Sequence, residues 1–426
     1  MSNLTPVPQT MDRDRNFFER DLLDRFLRYV TYHTTSDPHI DSTPSTEHQW
    51  DLARLLEREL KELGLNDVSL DDHCYLFARV PATAGGAPIG LMAHIDTAPD
   101  LTGENVRPLM HENYDGGVIQ LGDSEFRLDP DEYPTMLQYT GDTVITTDGT
   151  TLLGADDKAG VAEIVTAIRY LLEHPEIPRP PIEVIFTPDE ETGRGMDHFP
   201  QDRLESEFCV TVDGTAEGSI EAECFTAFKC TVSFTGYVIH PGQARGKLAN
   251  AAAMASQFVS LLPRSESPEA TDELYGFYCP IEISGGLASA TATVIVRDFD
   301  MATAERRLAY LESAARTVEG AFPGGAVSIQ THRQYVNMAD YIAPHPQLLD
   351  RMTTAVRQTG IEPTMHRIRG GTDGARLSER GIPTPNLFTG GQNLHGRYEW
   401  IAVSAMVRAS KTLVNLVQLY AESSSA

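Results

Sequence analysis

The chain has 426 residues, of which 41% are hydrophobic and 22% are charged, so it can bury a sizeable core in two or three domains. It carries 61 acidic residues against 34 basic ones, a formal net charge of −27. This composition excludes a disordered chain and a disulfide miniprotein. It also argues against nucleic acid or an anionic membrane as the main partner, because both bind clustered cations. We expect most carboxylates to form a solvated surface and a few to hold cations.

Cysteine usage and hydropathy predict the cellular compartment of the protein. The five cysteines are scattered, odd in number and form no CxxC pair, which predicts reduced thiols in a cytosol. The N-terminal segment is polar and has no apolar h-region, and no apolar run approaches the roughly 20 residues of a membrane-spanning helix. We therefore expect a soluble, cytoplasmic protein.

The first half of the chain alternates predicted helices and strands. Residues 1–15 have the composition of a disordered tail. Helical spacing of apolar residues and short apolar runs then predict helices over 18–30, from after 44 to 63, and 161–172, and strands over 75–80, 89–95, 182–187 and 208–212. Wholly apolar strands are typical of a sheet covered on both faces. The polar, glycine-rich stretch over 100–150 is either functional or a small subsheet. The alternation indicates an α/β domain with a mostly parallel sheet.

The pattern changes near residue 225. Strands over 228–238, 281–284, 291–297 and 326–335 and helices over 249–262 and 304–321 give the order β-α-β-β-α-β of a ferredoxin-like α+β domain. We interpret 225–335 as an inserted domain, and 16–224 with 336–426 as one discontinuous domain. The second part of that domain is predicted to contain a helix near 346–358, an irregular glycine-rich segment and a closing helix over 400–420.

Polar side chains follow the predicted strands of the first domain. They are His94 with Asp96, Asp156 with Asp157, Glu190 with Glu191, and Asp213, joined later by His395. Ligand sites in open α/β sheets lie beyond the carboxyl ends of the strands. Taken singly, Asp156 is as well explained as a helix cap, each histidine as a structural residue, and the Glu190-Glu191 pair as solvated surface. Together, these acids would repel one another without a cation, and a mixed nitrogen and oxygen set suits zinc or a similar divalent ion.

Eight motifs then carry a specific resemblance. In chain order they are HIDTAPD, LLGADDKAG, FTPDEETG, TVDG, VIHPG, IRGGTDGA, PNLFTGG and NLHG. Over residues 20 to 420 the chain resembles the peptidase T family of tripeptide aminopeptidases, within the M20 zinc metallopeptidases. The resemblance implies an α/β, mostly parallel-sheet dizinc catalytic domain with an inserted ferredoxin-like lid and dimerisation domain.

The resemblance also assigns roles to residues. It implies two zinc ions per subunit, held by His94, Asp156, Glu191, Asp213 and His395, with Asp156 bridging both ions. Asp96 corresponds to the aspartate that orients the metal histidine, and Glu190 corresponds to the general base.

Four residues outside this set are implied to bind substrate. His240 matches the histidine that stabilises the oxyanion, typically across a subunit boundary, although alone it would pass for an ordinary turn histidine. Asn250, Arg297 and Arg369 match substrate-binding positions, and the Arg369 guanidinium suits a peptide carboxylate. Arg297 is equally well explained by pairing with Asp298 or Asp300.

These points predict a dizinc aminopeptidase that removes the N-terminal residue of tripeptides. We expect small peptide substrates, no nucleic-acid or membrane partner, a homodimer formed through the exposed sheet edge and the outer helices of the lid, and closure of the lid on substrate. One alternative is another M20-type amidohydrolase: a dipeptidase, a carboxypeptidase or an N-acyl-amino-acid deacylase. A second alternative is a non-catalytic peptide- or metal-binding protein on the same scaffold.

Overall fold

The computed structural model describes residues 9–422 and the side chains of residues 16–421. The chain divides into two compact units. The first unit runs to Ala222 and resumes over Tyr341–His366 and from Arg380 onward; the second comprises Glu223–Asp340 and Arg367–Glu379. Residues 367–379, which the sequence pattern assigns to the first domain, therefore belong to the second unit. No helix among the described residues is both long and apolar enough to cross a membrane.

The helices and strands follow in chain order. The helices are α1 Gln9–Tyr29, α2 Gln49–Glu62, α3 Ala155–Glu173, α4 Ala251–Leu261, α5 Met301–Ala321, α6 Ala339–Ile342, α7 Pro346–Arg357, α8 Asp373–Glu379 and α9 Val403–Glu422. The strands are β1 Val68–Leu70, β2 Leu76–Val80, β3 Ile89–His94, β4 Leu109–His111, β5 Ile119–Gln120, β6 Arg127–Leu128, β7 Val144–Thr146, β8 Ile182–Thr187, β9 Phe208–Gly214, β10 Ser219–Cys224, β11 Thr226–Thr235, β12 Phe277–Gly285, β13 Ser289–Asp298, β14 Ala326–Tyr335, β15 Thr364–Ile368, β16 Asn386–Phe388 and β17 Trp400–Ala402.

The main sheet confirms the predicted parallel architecture. Its strand order is β1-β2-β8-β3-β9-β16-β10-β15. The four central strands β8, β3, β9 and β16 are parallel to one another, whereas β2 pairs with β8, and β10 with β16, in the antiparallel direction. Every residue of β3 and β8 is buried, as expected for strands covered on both faces. The carboxyl ends of four adjacent strands therefore meet at one edge of the sheet.

Helix α3 packs across β3 and β9 and begins beside that edge. The close approach requires a glycine: a Cβ at Gly160 would lie 1.9 Å from the carbonyl oxygen of Val212. The apolar faces of α1, α2, α3 and α9 share one hydrophobic core with the central strands. A buried ionic network also links α1 to α2, because Arg25 contacts Asp21 at 2.7 Å and binds Glu59, which Tyr29 also reaches at 2.5 Å.

The polar stretch near 100–150 folds as a small subsheet, one of the two options that the sequence left open. Strands β17, β7 and β4 form a three-stranded antiparallel sheet, and β5 pairs with β6. A separate hydrophobic cluster lies beneath them and includes Trp400, Tyr139 and Val144. Trp400 belongs to the last strand of the chain, so this subsheet is closed by a segment more than 250 residues away in sequence.

The second unit has the ferredoxin-like order that the sequence predicted. Its sheet order is β12-β13-β11-β14, with each neighbouring pair antiparallel. When β11, β12, β13 and β14 are numbered 1 to 4 in chain order, the sheet order is 2-3-1-4, which the split β-α-β arrangement produces. Helices α4 and α5 supply the buried residues Met254, Phe258 and Leu311 to its hydrophobic core.

Several elements differ from the sequence-based expectation. Helix α1 begins at Gln9, so residues 9–15 are helical rather than part of a disordered tail; residues 1–8 of that predicted tail lie outside the described range. The stretch QTMDRDR has no apolar spacing by which a helix would be recognised. The predicted irregular segment after α7 contains β15, α8, β16 and β17, which are three to seven residues long and too short for a periodicity.

Candidate metal centre

The four parallel strands each deliver one polar side chain to the same edge of the sheet. His94 is the last residue of β3, and Asp213 is the penultimate residue of β9. Glu191 lies in the turn that follows β8, and His395 lies in the loop between β16 and β17. Asp156 joins them from the first turn of α3. Five residues that span 302 positions of sequence therefore come together within the first unit.

The distances between these side chains show one continuous cluster. His94 Nε2 lies 2.9 Å from Asp156 Oδ1 and 3.5 Å from Asp213 Oδ1. His395 Nε2 lies 3.2 Å from Asp156 Oδ2 and 3.1 Å from Glu191 Oε2. Asp156 therefore faces one imidazole with each carboxylate oxygen, which is the arrangement expected of a ligand that bridges two cations.

The electrostatics of the cluster favour positive charge. The Asp156 and Glu191 carboxylates raise the pKa of His395 to about 11. Burial raises the pKa of Glu191 to about 8 and that of Asp213 to about 6. Although burial opposes it, the His395 and His94 imidazoles lower the pKa of Asp156. Burial therefore penalises the negative charge of Glu191 and Asp213, while the pairing of Asp156 with the two imidazoles favours a positive charge beside it; both effects make a cation among these carboxylates favourable.

The residues present fit a pair of divalent metal ions. Two groups of residues each place three ligand atoms within 4.8 Å of one another. One group is His94, Asp156 and Glu191, and the other is His94, Asp157 and Asp213. Glu191 Oε1 is buried and has no hydrogen-bond partner among the described residues. Water cannot readily take that place, because the side chain is only 6% exposed. An orphaned carboxylate oxygen of this kind is costly unless a cation binds it. Imidazole nitrogen and carboxylate oxygen are suitable ligands for zinc.

Asp157 supports His94 through the main chain. Its Oδ2 accepts the main-chain N–H of His94 at 3.1 Å, and its Oδ1 accepts that of Gly160 at 3.2 Å. Both oxygens are therefore engaged by amides, so we assign Asp157 to the scaffold that fixes the end of β3 rather than to the ligands. Asp156, whose Oδ1 lies 2.9 Å from the same His94 nitrogen that Asp213 approaches, then takes its place as the third candidate ligand of the second group. Asp157 stands in the motif LLGADDKAG without a role that the sequence predicts; its position directly after Asp156 is the one signal of it.

Asp96 lies behind the cluster and holds two of its segments together. His94 Nδ1 lies 3.1 Å from the main-chain oxygen of Asp96 and 3.4 Å from its Oδ1. The two Asp96 carboxylate oxygens also accept the main-chain N–H groups of Glu190, at 3.0 Å, and Glu191, at 3.2 Å. The main-chain oxygen of Asp96 therefore fixes the tautomer of the histidine, and its fully buried carboxylate fixes the path of the turn after β8.

The backbone at the cluster adopts uncommon conformations. His395 has a φ of 62° and Asp189, directly before Glu190, has a φ of 58°. Non-glycine residues rarely occupy this left-handed region and do so mostly where the surroundings require it. At Asp189 the requirement is visible: its buried carboxylate accepts the N–H and Oγ–H of Ser45 and the side-chain amide of Gln49. Sequence reasoning missed Asp189, because an acid in TPDEE has no distinguishing pattern.

The second unit contains the other predicted residues. His240 is exposed, and its Nδ1 accepts the N–H of Gly242 at 3.1 Å, so the neutral ring carries its proton on Nε2 as a donor. Asn250 caps α4, because its Oδ1 accepts the N–H groups of Ala252 and Ala253. The substrate roles of both residues stay predictions.

The two predicted arginines are bound within the second unit. Arg297 is buried and donates to the carbonyl oxygens of Phe228 and Val296 and to the side chain of Gln334. The alternative pairing of Arg297 with Asp298 or Asp300 is wrong: Asp298 binds Arg307, and Asp300 caps α5.

Arg369 donates to the main-chain oxygens of Thr271, Glu273 and Tyr275 and to the Thr271 hydroxyl, so four hydrogen bonds hold it to one loop. The guanidinium also lies over the rings of Phe225 and Phe277. These contacts give Arg369 a clear part in ordering the loop over 271–275. Its predicted contact with a substrate carboxylate stays a prediction, as does the substrate role of Arg297.

Known proteins similar to this chain identify its family. The model of peptidase family M20/M25/M40 matches residues 145–419. Proteins named peptidase T from Geobacillus thermodenitrificans and Clostridium perfringens are each 44% identical to this chain; the alignments cover 96% and 94% of the chain and 100% and 98% of the relatives.

Solved structures share the fold. The aminopeptidase PepT of Bacillus cereus has a TM-score of 0.74 at 23% identity, and a tripeptidase of Staphylococcus aureus has a TM-score of 0.76 at 20% identity. Each comparison covers 95% of this chain and 99% of the other chain. Because the matched family model spans more than half of the sequence and the peptidase T relatives align over nearly all of it, the chain belongs, with those relatives, to peptidase family M20/M25/M40.

Proposed function

We propose that the protein is a dizinc aminopeptidase that hydrolyses the N-terminal residue from tripeptides. The observation that carries the proposal is the convergence of His94, Asp156, Glu191, Asp213 and His395 within 3.5 Å contacts at the ends of parallel strands. The substrate class is supported by the relatives named peptidase T and by the solved neighbours described as an aminopeptidase and a tripeptidase.

The five residues of the cluster would hold two zinc ions, with Asp156 shared between them. When bound, such a pair lowers the pKa of water and polarises the scissile carbonyl. The protein contributes the placement: Asp96 keeps the His94 ring oriented, and Asp157 fixes the end of β3.

Glu190 is the proposed general base. Its main chain is held by Asp96, and its half-buried side chain lies next to Glu191 in the chain. In the forward reaction the Glu190 carboxylate takes a proton from the attacking water, whose oxygen bonds to the carbonyl carbon of the first residue. As the C–N bond breaks, Glu190 returns that proton to the leaving amine, so the dipeptide departs neutral at nitrogen and the carboxylate is regenerated.

The predicted oxyanion role of His240 requires an N–H donor, since negative charge develops on the former carbonyl oxygen. The Nε2–H of His240 meets that requirement, because its Nδ1 is occupied as an acceptor. We also propose a cytoplasmic location, which the scattered cysteines without a CxxC pair predict.

We predict that the chelated protein regains about two divalent ions per chain and becomes more stable when zinc is restored. At a free zinc concentration about 100 times the dissociation constant, each bound ion adds about 2.7 kcal/mol to the free energy of unfolding. Thermal unfolding with and without zinc, together with elemental analysis, measures this. His395→Ala removes one ligand and should reduce the zinc-induced rise in Tm. The control His198→Ala, which alters an exposed histidine outside the cluster, should leave the rise intact. An equal rise in both variants contradicts the assigned ligand set.

We predict a clear order of rates across a peptide panel. Tripeptides with a free amino terminus should release their first residue, and dipeptides, tetrapeptides and N-acetylated tripeptides should react at a small fraction of that rate. Chromatography of the released amino acid provides the measurement. Efficient cleavage of N-acetylated peptides would instead identify a deacylase or carboxypeptidase, and a preference for dipeptides would identify a dipeptidase on the same fold.

We predict that Glu190→Gln keeps its metal and loses hydrolysis. Loss of the general base should lower kcat by about 10²–10⁴-fold, because the amide cannot accept the proton from water. Elemental analysis and tripeptide kinetics test both parts, with Glu207→Gln as the matched control, because Glu207 is an exposed acid directly before β9. Full activity in Glu190→Gln would favour a different base, and absence of tripeptide hydrolysis in the wild-type protein would favour a non-catalytic binding protein.

We further propose a homodimer formed through strand β12 of the second unit. This strand lies at one end of the sheet, and its outer residues Ile281 and Ile283 are each 53% exposed. An exposed apolar edge strand is a natural site for pairing with another strand. A second copy of the chain presents the same edge and would bury both sets of isoleucines in an isologous contact.

The dimer proposal predicts that Ile283→Lys shifts the protein from dimer to monomer, because the interface would then contain a buried charge without a partner. Light scattering coupled to size-exclusion chromatography measures the mass. Met365→Lys is the matched control, since Met365 is 57% exposed on β15 of the first unit and should not affect assembly. A wild-type protein that is monomeric at micromolar concentration, or a dimeric Ile283→Lys variant, would refute this interface.

A further inference from the structure

Glu399 is a buried acid that the proposed reaction leaves without a role. It is 1% exposed and lies four residues after His395, immediately before β17. A carboxylate in such a place carries a large desolvation cost unless several donors satisfy it. Its contacts therefore indicate what the acid does.

The donors to Glu399 all come from the turn that presents Asp156. Glu399 Oε2 accepts the main-chain N–H groups of Leu153, at 2.7 Å, and Gly154, at 2.8 Å. Its other oxygen, Oε1, accepts the N–H of Asp156 itself at 3.1 Å. The first N–H groups of a helix have no partner within the helix, and they favour a negative charge. Leu153 and Gly154 precede α3 and Asp156 lies in its first turn, so Glu399 fixes the chain where it enters the helix, from a position 243 residues away in sequence.

The same residue is tied to the loop that carries His395. Gln392 and Trp400 close this loop by exchanging two main-chain hydrogen bonds, of 2.9 and 3.1 Å. Glu399 stands at the closed end of the loop and reaches across to the Asp156 turn. One side chain therefore connects the two segments whose ligands meet at 3.2 Å, Asp156 Oδ2 and His395 Nε2.

We propose that Glu399 is a positioning residue that sets the placement of Asp156 relative to His395, and thereby the affinity of the site for its metal ions. This inference rests on the proposed two-metal function. Glu399 accepts hydrogen bonds from the main-chain amides of the Asp156 turn, so it reaches the metal ligands through the backbone and is not itself a ligand. Replacing its carboxylate by an amide would put an N–H₂ donor against at least one main-chain N–H, which should displace the turn.

The chain provides a matched control for the structural part of this role. Glu183, in β8, is also a buried carboxylate, 3% exposed. It accepts the main-chain N–H groups of Glu205 and Ser206, at 3.0 and 2.8 Å, and the hydroxyl of Ser206 at 2.6 Å. It lies near the amino end of its strand, whereas the metal ligands gather at the carboxyl ends. Loss of Glu183 should therefore perturb the fold locally without reaching the metal ligands.

The test compares the wild type, Glu399→Gln and Glu183→Gln as full-length proteins. Each is stripped with a chelator and titrated with Co²⁺, whose visible absorption reports the geometry of its ligands, while calorimetry gives stoichiometry and affinity. Circular dichroism and the Tm of the metal-free proteins verify folding. We expect Glu399→Gln to bind Co²⁺ about 10–100-fold more weakly, with an altered spectrum. Glu183→Gln should keep the wild-type affinity and spectrum even where its metal-free Tm falls.

The outcomes separate this inference from the proposed function. Wild-type affinity and spectrum in a folded Glu399→Gln variant overturn the positioning role and leave the metal centre intact. Equal weakening in Glu183→Gln also overturns it, because the effect would then be general destabilisation. A wild-type protein that binds no Co²⁺ overturns the metal centre and the positioning role together. If Glu399→Gln does not fold, Glu399→Asp, which retains the charge but withdraws its oxygens, replaces it with the same expected direction.

Discussion

The concentration of buried negative charge at one edge of the main sheet is the constraint on which the rest of the structure depends. Three carboxylates and two imidazoles lie within 3.5 Å contacts, and the carboxylates are almost fully removed from water. Burying like charges together is unfavourable unless a cation neutralises them. The parallel topology produces this concentration, because β8, β3, β9 and β16 all end at the same edge.

The buried acids near this edge divide into two kinds by what they face. Asp156, Glu191 and Asp213 face imidazole rings and present the oxygens that suit metal ions. Asp96 and Asp157 face main-chain amides. The second kind replaces the hydrogen bonds that irregular turns lack and so makes those turns rigid. In this way, metal ligands that lie on loops are held as precisely as ligands that lie on helices and strands.

The second unit has a different physical character. Its predicted substrate residues are engaged by its own backbone: Arg369 by the loop over 271–275, and Arg297 by the carbonyl oxygens of neighbouring strands. An arginine whose N–H groups already donate within its own domain fixes the shape of that domain's surface before any ligand binds. His240 differs, since its ring keeps an outward Nε2 donor.

The chain's patterning predicted much of the fold. Apolar runs for β3 and β8 and the helical spacing of α3 were sufficient to indicate a parallel α/β sheet, because burial on both faces leaves a signature in each strand. The short strands β15, β16 and β17 were missed, since three to five residues contain too few periods. The first turns of α1 were also missed, because polar residues without apolar spacing give no helical signal.

The sequence by itself determined which residue types stand at the strand ends, and the order of its motifs identified the family. The sequence did not give the distances between those side chains. Only the tertiary structure decided that Asp156 lies between His94 and His395, that Glu191 keeps a buried oxygen without a partner, and that Asp298 pairs with Arg307 rather than Arg297. The physical reason is that local patterns record whether a residue is buried, whereas the partner of a buried polar group is set by segments hundreds of residues away.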